Sequence, residues 1–368
     1  MNKGRISRTI AENLFVEGSP CTRPFTSPSI NYATGSSPVF ICPIDFNGDS
    51  RIDLAVVNSG ANSVQLYRGL VDQSFQSGNS FTTGSNPVSA VAADFDKDGD
   101  EDLIVVTSTD DKISEYWGLG DGTFTLIQKY TTDFMPTFIA AGDLNSDGYA
   151  DVAVVCTLPD KINIFINNGD GSFRSGDSLT TGTDPICLAI ADVDNDDVND
   201  IVVVNSGSDS YQVFLGFGDG TFFLLLTAST GSNPRFVVLD YFNNDASIDM
   251  AVVNYASDTV FVYINSGLGS FQRQTIVSVD DGPISLASYD INGDTNVDLI
   301  TVNNNSQTVD ILFGDQAGSF QFGYSITPGT RPVYAATILI SPGDLYSSVN
   351  LAVAVKGDNQ VAFYRNKC

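Results

Sequence analysis

The chain has 368 residues, with 44 acidic against 17 basic side chains and a formal net charge of −27. That balance excludes nucleic acid and anionic membrane surfaces as partners, because both demand clustered Lys and Arg. Histidine is absent, which removes histidine triads, histidine metal ligands and histidine pH switches, and no apolar run reaches the 18 residues of a bilayer span.

Residues 1–20 are expected to be a poorly structured tail. They show a weak helical period near Ile6–Phe15 but no apolar segment of the kind a secretion signal needs. From Cys21 onward the sequence repeats. Asp clusters, each followed by an apolar run, end at Asp53, Asp102, Asp151, Asp200, Asp249 and Asp298, in steps of 49. Prolines keep the same step at Pro38, Pro87, Pro136, Pro185, Pro234, Pro283 and Pro332. Phenylalanines keep it at Phe75, Phe124, Phe173, Phe222, Phe271 and Phe320.

Each unit reads as four short strands. In the second unit, strand one follows Pro87 and strand two follows Asp102. Strand three holds Ile113 to Trp117, and a Gly-rich turn leads to Phe124 and strand four. Four short antiparallel strands per repeat make a β-propeller blade, and seven prolines predict seven blades spanning residues 21–368 as one all-β domain. Pro is tolerable at the start of strand one because the innermost strand has one unpaired edge. The repeated Phe is expected to pack between blades.

The last blade lacks its own fourth strand. Phe25–Gly35 resembles one without a third strand before it, so the N-terminal segment is expected to complete the ring. Aligned on the repeat, Cys21 and Cys368 fall at the same position, that of Val71, which predicts a Cys21–Cys368 disulfide. Cys42, Cys156 and Cys187 sit in predicted strands as buried, inert thiols, and no Cys-x-x-Cys motif suggests zinc.

The chemistry lies in the Asp loops between strands one and two. Five of them put oxygen-bearing side chains at loop positions one, three, five and nine. The first is Asp45, Asn47, Asp49 and Asp53. The second is Asp94, Asp96, Asp98 and Asp102, and the third Asp143, Asn145, Asp147 and Asp151. The fourth is Asp192, Asp194, Asp196 and Asp200, and the sixth Asp290, Asn292, Asp294 and Asp298. Position seven would add a backbone carbonyl, from Arg51, Asp100, Tyr149, Val198 and Asn296. Carboxylates packed this densely repel one another unless a cation sits among them, and Ca²⁺ accepts an irregular shell of six to eight oxygens. About five structural Ca²⁺ sites are expected. The competing reading is a set of Asx-turns without metal. The EF-hand is excluded, because position twelve of the first loop is Val56 inside a strand rather than Glu. Gly99 and Gly148 stand where a positive φ is easiest, so the second and third loops are expected to bind best. The fifth loop carries Tyr241 where the period calls for Asp. The seventh, Pro342 to Asn350, has lost the pattern. Weak or no binding is expected at the fifth loop and none at the seventh.

The Asp-x-[Asp/Asn]-x-Asp loop and the Gly-Asp-Gly-[Ser/Thr]-Phe turn, as in Gly169–Phe173 and Gly218–Phe222, resemble the FG-GAP/VCBS repeats of integrin-α-type propellers. The resemblance implies a seven-bladed propeller with calcium on its lower face and a role in extracellular adhesion, lectin-like binding or other recognition. The expected function is a calcium-stabilised, monomeric module that recognises an extracellular protein. The alternative is a lectin with several equivalent glycan sites, although Trp117 is the only Trp. The third alternative is a polysaccharide-acting enzyme, a lyase or glycosidase; it is not expected, since most Asp clusters are committed to the loops and no histidine is present to act as base. Location is expected to be extracellular or at the cell surface, where millimolar calcium and disulfides coexist.

Overall fold

The computed structural model describes residues 21–26, 29–243, 245–339 and 349–367. The expected N-terminal tail lies outside these residues. Among the described residues there is no helix. Twenty-eight strands form seven four-stranded antiparallel sheets. Blade one runs Pro38–Ile44, Asp53–Asn58, Ser63–Gly69 and Phe75–Thr82, from the axis outward. Blades two to six repeat that plan, opening at Pro87, Pro136, Pro185, Pro234 and Pro283.

Blade seven takes its three inner strands from Pro332–Leu339, Val349–Val355 and Gln360–Tyr364. Its outer strand is Ile30–Ala33, which pairs antiparallel with the last strand, Ile30 opposite Phe363 and Ala33 opposite Gln360. The N-terminal segment therefore closes the ring, as the repeat alignment requires. The strand itself is shorter than Phe25–Gly35, because Phe25 plays another part. Its amide donates to the Tyr324 hydroxyl of blade six at 2.9 Å. Phe75 and Phe173 donate in the same way to Tyr32 and Tyr130 of their neighbouring blades. Phe25 is thus the seventh member of the phenylalanine column.

That column works between blades, as expected. Phe124, Phe173 and Phe320 meet Phe46, Phe95 and Phe242 of the preceding blade edge-on, with ring centroids 6.2, 5.5 and 5.3 Å apart. The second strand of each blade is buried throughout, as in Asp53–Asn58 and Asp151–Cys156, because another blade covers each face. Hence its near-continuous Val, Ile and Leu composition rather than alternation. The strand-three tyrosines are structural too. Tyr263 donates to the Ser229 carbonyl at the end of blade four, and Tyr67 to that of Ala33.

The axis is not an open tunnel. The third residue of each inner strand reads Phe40, Ser89, Phe138, Cys187, Phe236, Ser285 and Tyr334, large alternating with small. The four aromatic rings converge across the centre. Phe40–Phe138, Phe138–Phe236 and Phe236–Tyr334 lie 6.1, 5.4 and 6.0 Å apart. Seven is odd, so blades seven and one both carry a large ring, and Phe40 lies on Tyr334 at 4.2 Å. Alternation of large and small residues lets four rings meet across a circle of seven positions.

Candidate metal centres

The five Asp loops lie on one face, together with the Gly-rich turns between strands three and four. Each loop is built from successive Asx-turns. In the second loop, the amide of Asp98 donates to Asp96 and that of Asp100 to Asp98. The first carboxylate then accepts an amide from further along. Gly99 donates to Asp94, Gly148 to Asp143, Asp197 to Asp192 and Thr295 to Asp290, at 2.8–3.2 Å. Such a winding needs two left-handed residues. Position six has positive φ in all five loops, at Ser50, Gly99, Gly148, Asp197 and Thr295. Position four does too, at Gly48, Lys97, Ser146, Asn195 and Gly293, which the repeat pattern did not foretell.

The Asx-turns use only part of the oxygen supply. Asp94, Asp96 and Asp98 keep carboxylate oxygens within 4.8 Å of one another, as do Asp192, Asp194 and Asp200. Buried acceptors without a hydrogen-bond partner remain at Asn47 Oδ1, Asp94 Oδ1, Asp194 Oδ1 and Asn296 Oδ1. Orphaned, converging hard oxygens are the chemistry that a divalent cation such as Ca²⁺ satisfies. The residues fit the ion. Burial, with the neighbouring carboxylates Asp98 and Asp94 adding to it, holds Asp96 above its ordinary pKa. Burial together with Asp196 and Asp192 does the same for Asp194.

The loops are not equivalent. The second and fourth bring three carboxylates together. In the first, third and sixth, Asn47, Asn145 and Asn292 replace the acid at position three. The first loop also differs at Asp49, whose carboxylate is paired with the guanidinium groups of Arg51 and Arg68, the latter at 2.9 Å. Arg51 is expected from its spacing only as a backbone carbonyl at position seven. Its side chain places a positive charge beside the loop. Tyr149 of the third loop carries Lys97 of the second over its ring at 3.6 Å, which ties neighbouring loops.

Position nine has a second role that spacing alone did not show. Asp53, Asp102, Asp151, Asp200, Asp249 and Asp298 are all buried. One oxygen of each accepts the amide sixteen residues on, from Gly69, Gly118, Asn167, Gly216, Asn265 and Gly314, at 2.6–2.9 Å. In blades two to six the other oxygen accepts the amide at position two of its own loop. Phe95 donates to Asp102 in this way and Phe242 to Asp249, both at 3.0 Å. These carboxylates pin the loop to the end of strand three. In blade seven Asn350 accepts the Asn366 amide in the same way. Burial, only partly offset by the amides, raises Asp53, Asp151, Asp200 and Asp249 to about 6 and Asp102 and Asp298 to about 7.

The fifth loop shows the frame without the cluster. Tyr241 is exposed at position one, while Asn243 and Asp245 still form their Asx-turns. The seventh loop falls largely on residues 340–348, outside the described residues.

The loops also seal the blades to one another. Asn167 and Asn265 donate side-chain amides to the carbonyls of Phe95 and Val193 in the preceding blade's loop, at 2.8 and 2.6 Å. The repeat, the loop and the turn together match the model of the FG-GAP-like repeat over residues 45–105, 99–154, 143–203 and 241–301. The chain belongs to the FG-GAP-like repeat family. No curated protein matches the sequence. Among solved structures this FG-GAP-repeat chain is similar in fold to BBS1N in its complex with ARL6DN. The TM-score there is 0.68 at 11% identity, covering 92% of this chain and 96% of that one. It is also similar to an Agrocybe aegerita lectin that recognises non-reducing terminal N-acetylglucosamine, with TM-score 0.57 at 16% identity over 79% and 80% of the two chains. A functionally unknown protein from Desulfotomaculum acetoxidans gives 0.60 at 13% identity over 83% and 93%.

The three remaining cysteines, Cys42, Cys156 and Cys187, are free and buried, and burial pushes each thiol up to about 12. That leaves them protonated and inert. Cys368 lies outside the described residues, and with it the expected bond to Cys21.

Proposed function

We propose that this propeller is a calcium-stabilised recognition module for a protein partner outside the cell, monomeric, with the ions structural rather than catalytic. The Asp loops hold the blades in register on one face, and the partner binds the other. One observation carries this reading. The repeat is near-perfect in its frame, yet on the face opposite the Asp clusters three blades depart from the Ser or Thr that the other four share. The first residues after strand two read Ser59, Ser108, Thr157, Ser206, Tyr255, Asn304 and Lys356. A lectin with several equivalent sites requires equivalent loops. Singular loops suit one asymmetric partner, whose hot spots fall on a few positions. The BBS1N propeller, similar in fold, is itself described in complex with a protein, ARL6DN.

In the proposed ion sites, position-one, position-three and position-five oxygens would hold the cation, with position nine reaching it from the frame. The ion would neutralise repulsion and fix adjacent blades; the chain's own residues supply the register. A Cys21–Cys368 bond completes the proposal. It is supported by the meeting of the chain ends: the Lys367 amide donates to the Pro24 carbonyl at 3.0 Å.

The test is immobilised oxidised protein in Ca²⁺ offered extracellular protein fractions, beside a glycan array. A saturable protein partner lost in EDTA supports the reading. Binding to a related set of sugars, with no protein partner, replaces it with the lectin.

A further inference from the structure

Among the described residues, the face opposite the Asp loops carries one apolar spot. Phe134, Met135 and Leu158 are 67%, 47% and 51% exposed. The link from blade two to blade three and the loop between strands two and three of blade three bring them together. The amide of Thr157 donates to the Met135 carbonyl at 3.1 Å and that of Leu158 to the Phe134 carbonyl at 3.3 Å. Pro159 is exposed beside them.

The repeat supplies an internal control. At the position of Phe134 the other blades have Ser36, Ser85, Thr183, Ser232, Asp281 and Thr330. At that of Leu158 they have Gly60, Thr109, Gly207, Ala256, Asn305 and Gly357. The fold therefore does not need large apolar groups here. Met135 is held at φ 53°, a conformation that Asn86 and Asn233 occupy in blades two and five at 53° and 57°. Asn takes a left-handed backbone more readily than Met, so Met135 stands against local preference. Exposed apolar groups that the frame does not use mark interaction sites.

The surroundings select the partner. Asp110, Asp111, Asp133, Asp160 and Asp184 lie on the same and adjoining loops, against Lys112 and Lys161, and Lys161 lies 3.9 Å from Asp133. A second copy of a chain with net charge −27 would meet like charge here.

We infer that Phe134, Met135 and Leu158 form the anchor patch for a segment of the partner protein that presents apolar side chains flanked by Lys or Arg. This rests on the recognition reading above. Apolar contact supplies the anchor, and the carboxylates steer and orient the basic flanks.

The test uses a phage-displayed random peptide library selected on the oxidised full chain in Ca²⁺. Enriched peptides are then titrated against the wild type, the triple variant Phe134→Ser/Met135→Asn/Leu158→Gly and, separately, Asp184→Asn. Each replacement in the triple variant is borrowed from another blade, so its melting curve should match the wild type. Enrichment of aromatic or aliphatic residues beside Lys or Arg is expected. Binding should weaken about tenfold or more in the triple variant, the scale of one hot spot or better. Asp184→Asn should mainly slow association. Peptides that bind the triple variant equally well would overturn the inference and leave the recognition reading standing. Acidic or purely polar peptides, or no enrichment, would overturn it as well. So would a dimer in sedimentation that the triple variant dissolves, because the occupant would then be a second copy.

Discussion

Blades two and five fold the same loop around different chemistry. In blade two Asp94, Asp96 and Asp98 converge within 4.8 Å, and Asp94 keeps a buried acceptor without a donor. In blade five Tyr241 occupies position one and the cluster is gone. Yet Asp249 accepts the same two amides as Asp102, with both pairs at 2.9 and 3.0 Å. Two tasks that the sequence motif merges are thereby separated. Position nine holds the loop to the sheet whether or not an ion is expected. Position one completes the cluster, and blade five shows that it can be lost while the Asx-turns at positions three and five remain.

Substitutions that pull these tasks apart should differ in size and in calcium dependence. The largest effect belongs to neither loop but to the ring both rest in. If Cys21 and Cys368 are bonded, Cys21→Ser should cost about 4–5 kcal/mol by the chain-entropy estimate, in both calcium and EDTA. Chemical denaturation of the oxidised protein checks this, and equal midpoints would remove the bond from the account. Next comes Asp249→Ala, which strands the amides of Phe242 and Asn265 in a buried site. A loss of about 3 kcal/mol is expected, with calcium dependence unchanged. Asp96→Asn should do the reverse, altering calcium dependence with little cost in EDTA. Urea titrations of both variants in Ca²⁺ and EDTA give the contrast, which would collapse if both lost calcium dependence alike.

The pH dependence sharpens the same point. A carboxylate raised from 3.8 to about 6 or 7 binds its proton more tightly in the folded chain than in the unfolded one. Its contribution to metal-free stability is therefore full below pH 3.8 and lost as pH rises through 6–7. All six position-nine carboxylates shift in this direction. In EDTA, stability attributable to these groups should fall between about pH 5 and about pH 7. Urea midpoints at the two pH values read it; a midpoint that rises would contradict the burial of position nine. The smallest effect is at Thr295, a β-branched residue held at φ 73°. Thr295→Gly should stabilise by about 0.5–1 kcal/mol, the strain relieved less the entropy of Gly. Urea denaturation in EDTA reads that gain.

The frame was legible because it repeats. Three columns at a step of 49 give blade number, strand order and the closing N-terminal strand. Phe25 could be aligned on Phe75 although the strand behind it is only Ile30–Ala33. What escaped was what one blade does to another. The axial rings of Phe40, Phe138, Phe236 and Tyr334 share a column, but their meeting depends on an odd number of blades closing a circle. That column, read as alternating volume, would have raised the signal. The guanidinium groups on Asp49 come from Arg51 in the loop and Arg68 on strand three, and no period announces a singular pair. Spacing shows position nine only as a ligand, because its amide partners are backbone and backbone donors leave no letter in a sequence. The spot at Phe134 and Leu158 went unread for the opposite reason: it departs from the repeat, and its two loops are joined only in space.

The central claim is that the Asp loops hold the ring through bound calcium. Thermal unfolding of the oxidised wild type at neutral pH, in millimolar Ca²⁺ and in EDTA, tests it most directly. A midpoint lower by about 5 °C or more in EDTA is predicted, restored by adding Ca²⁺ back, as binding to the native state alone requires. Superimposable curves would mean that the loops are Asx-turns that need no ion, and the account of this face would fall.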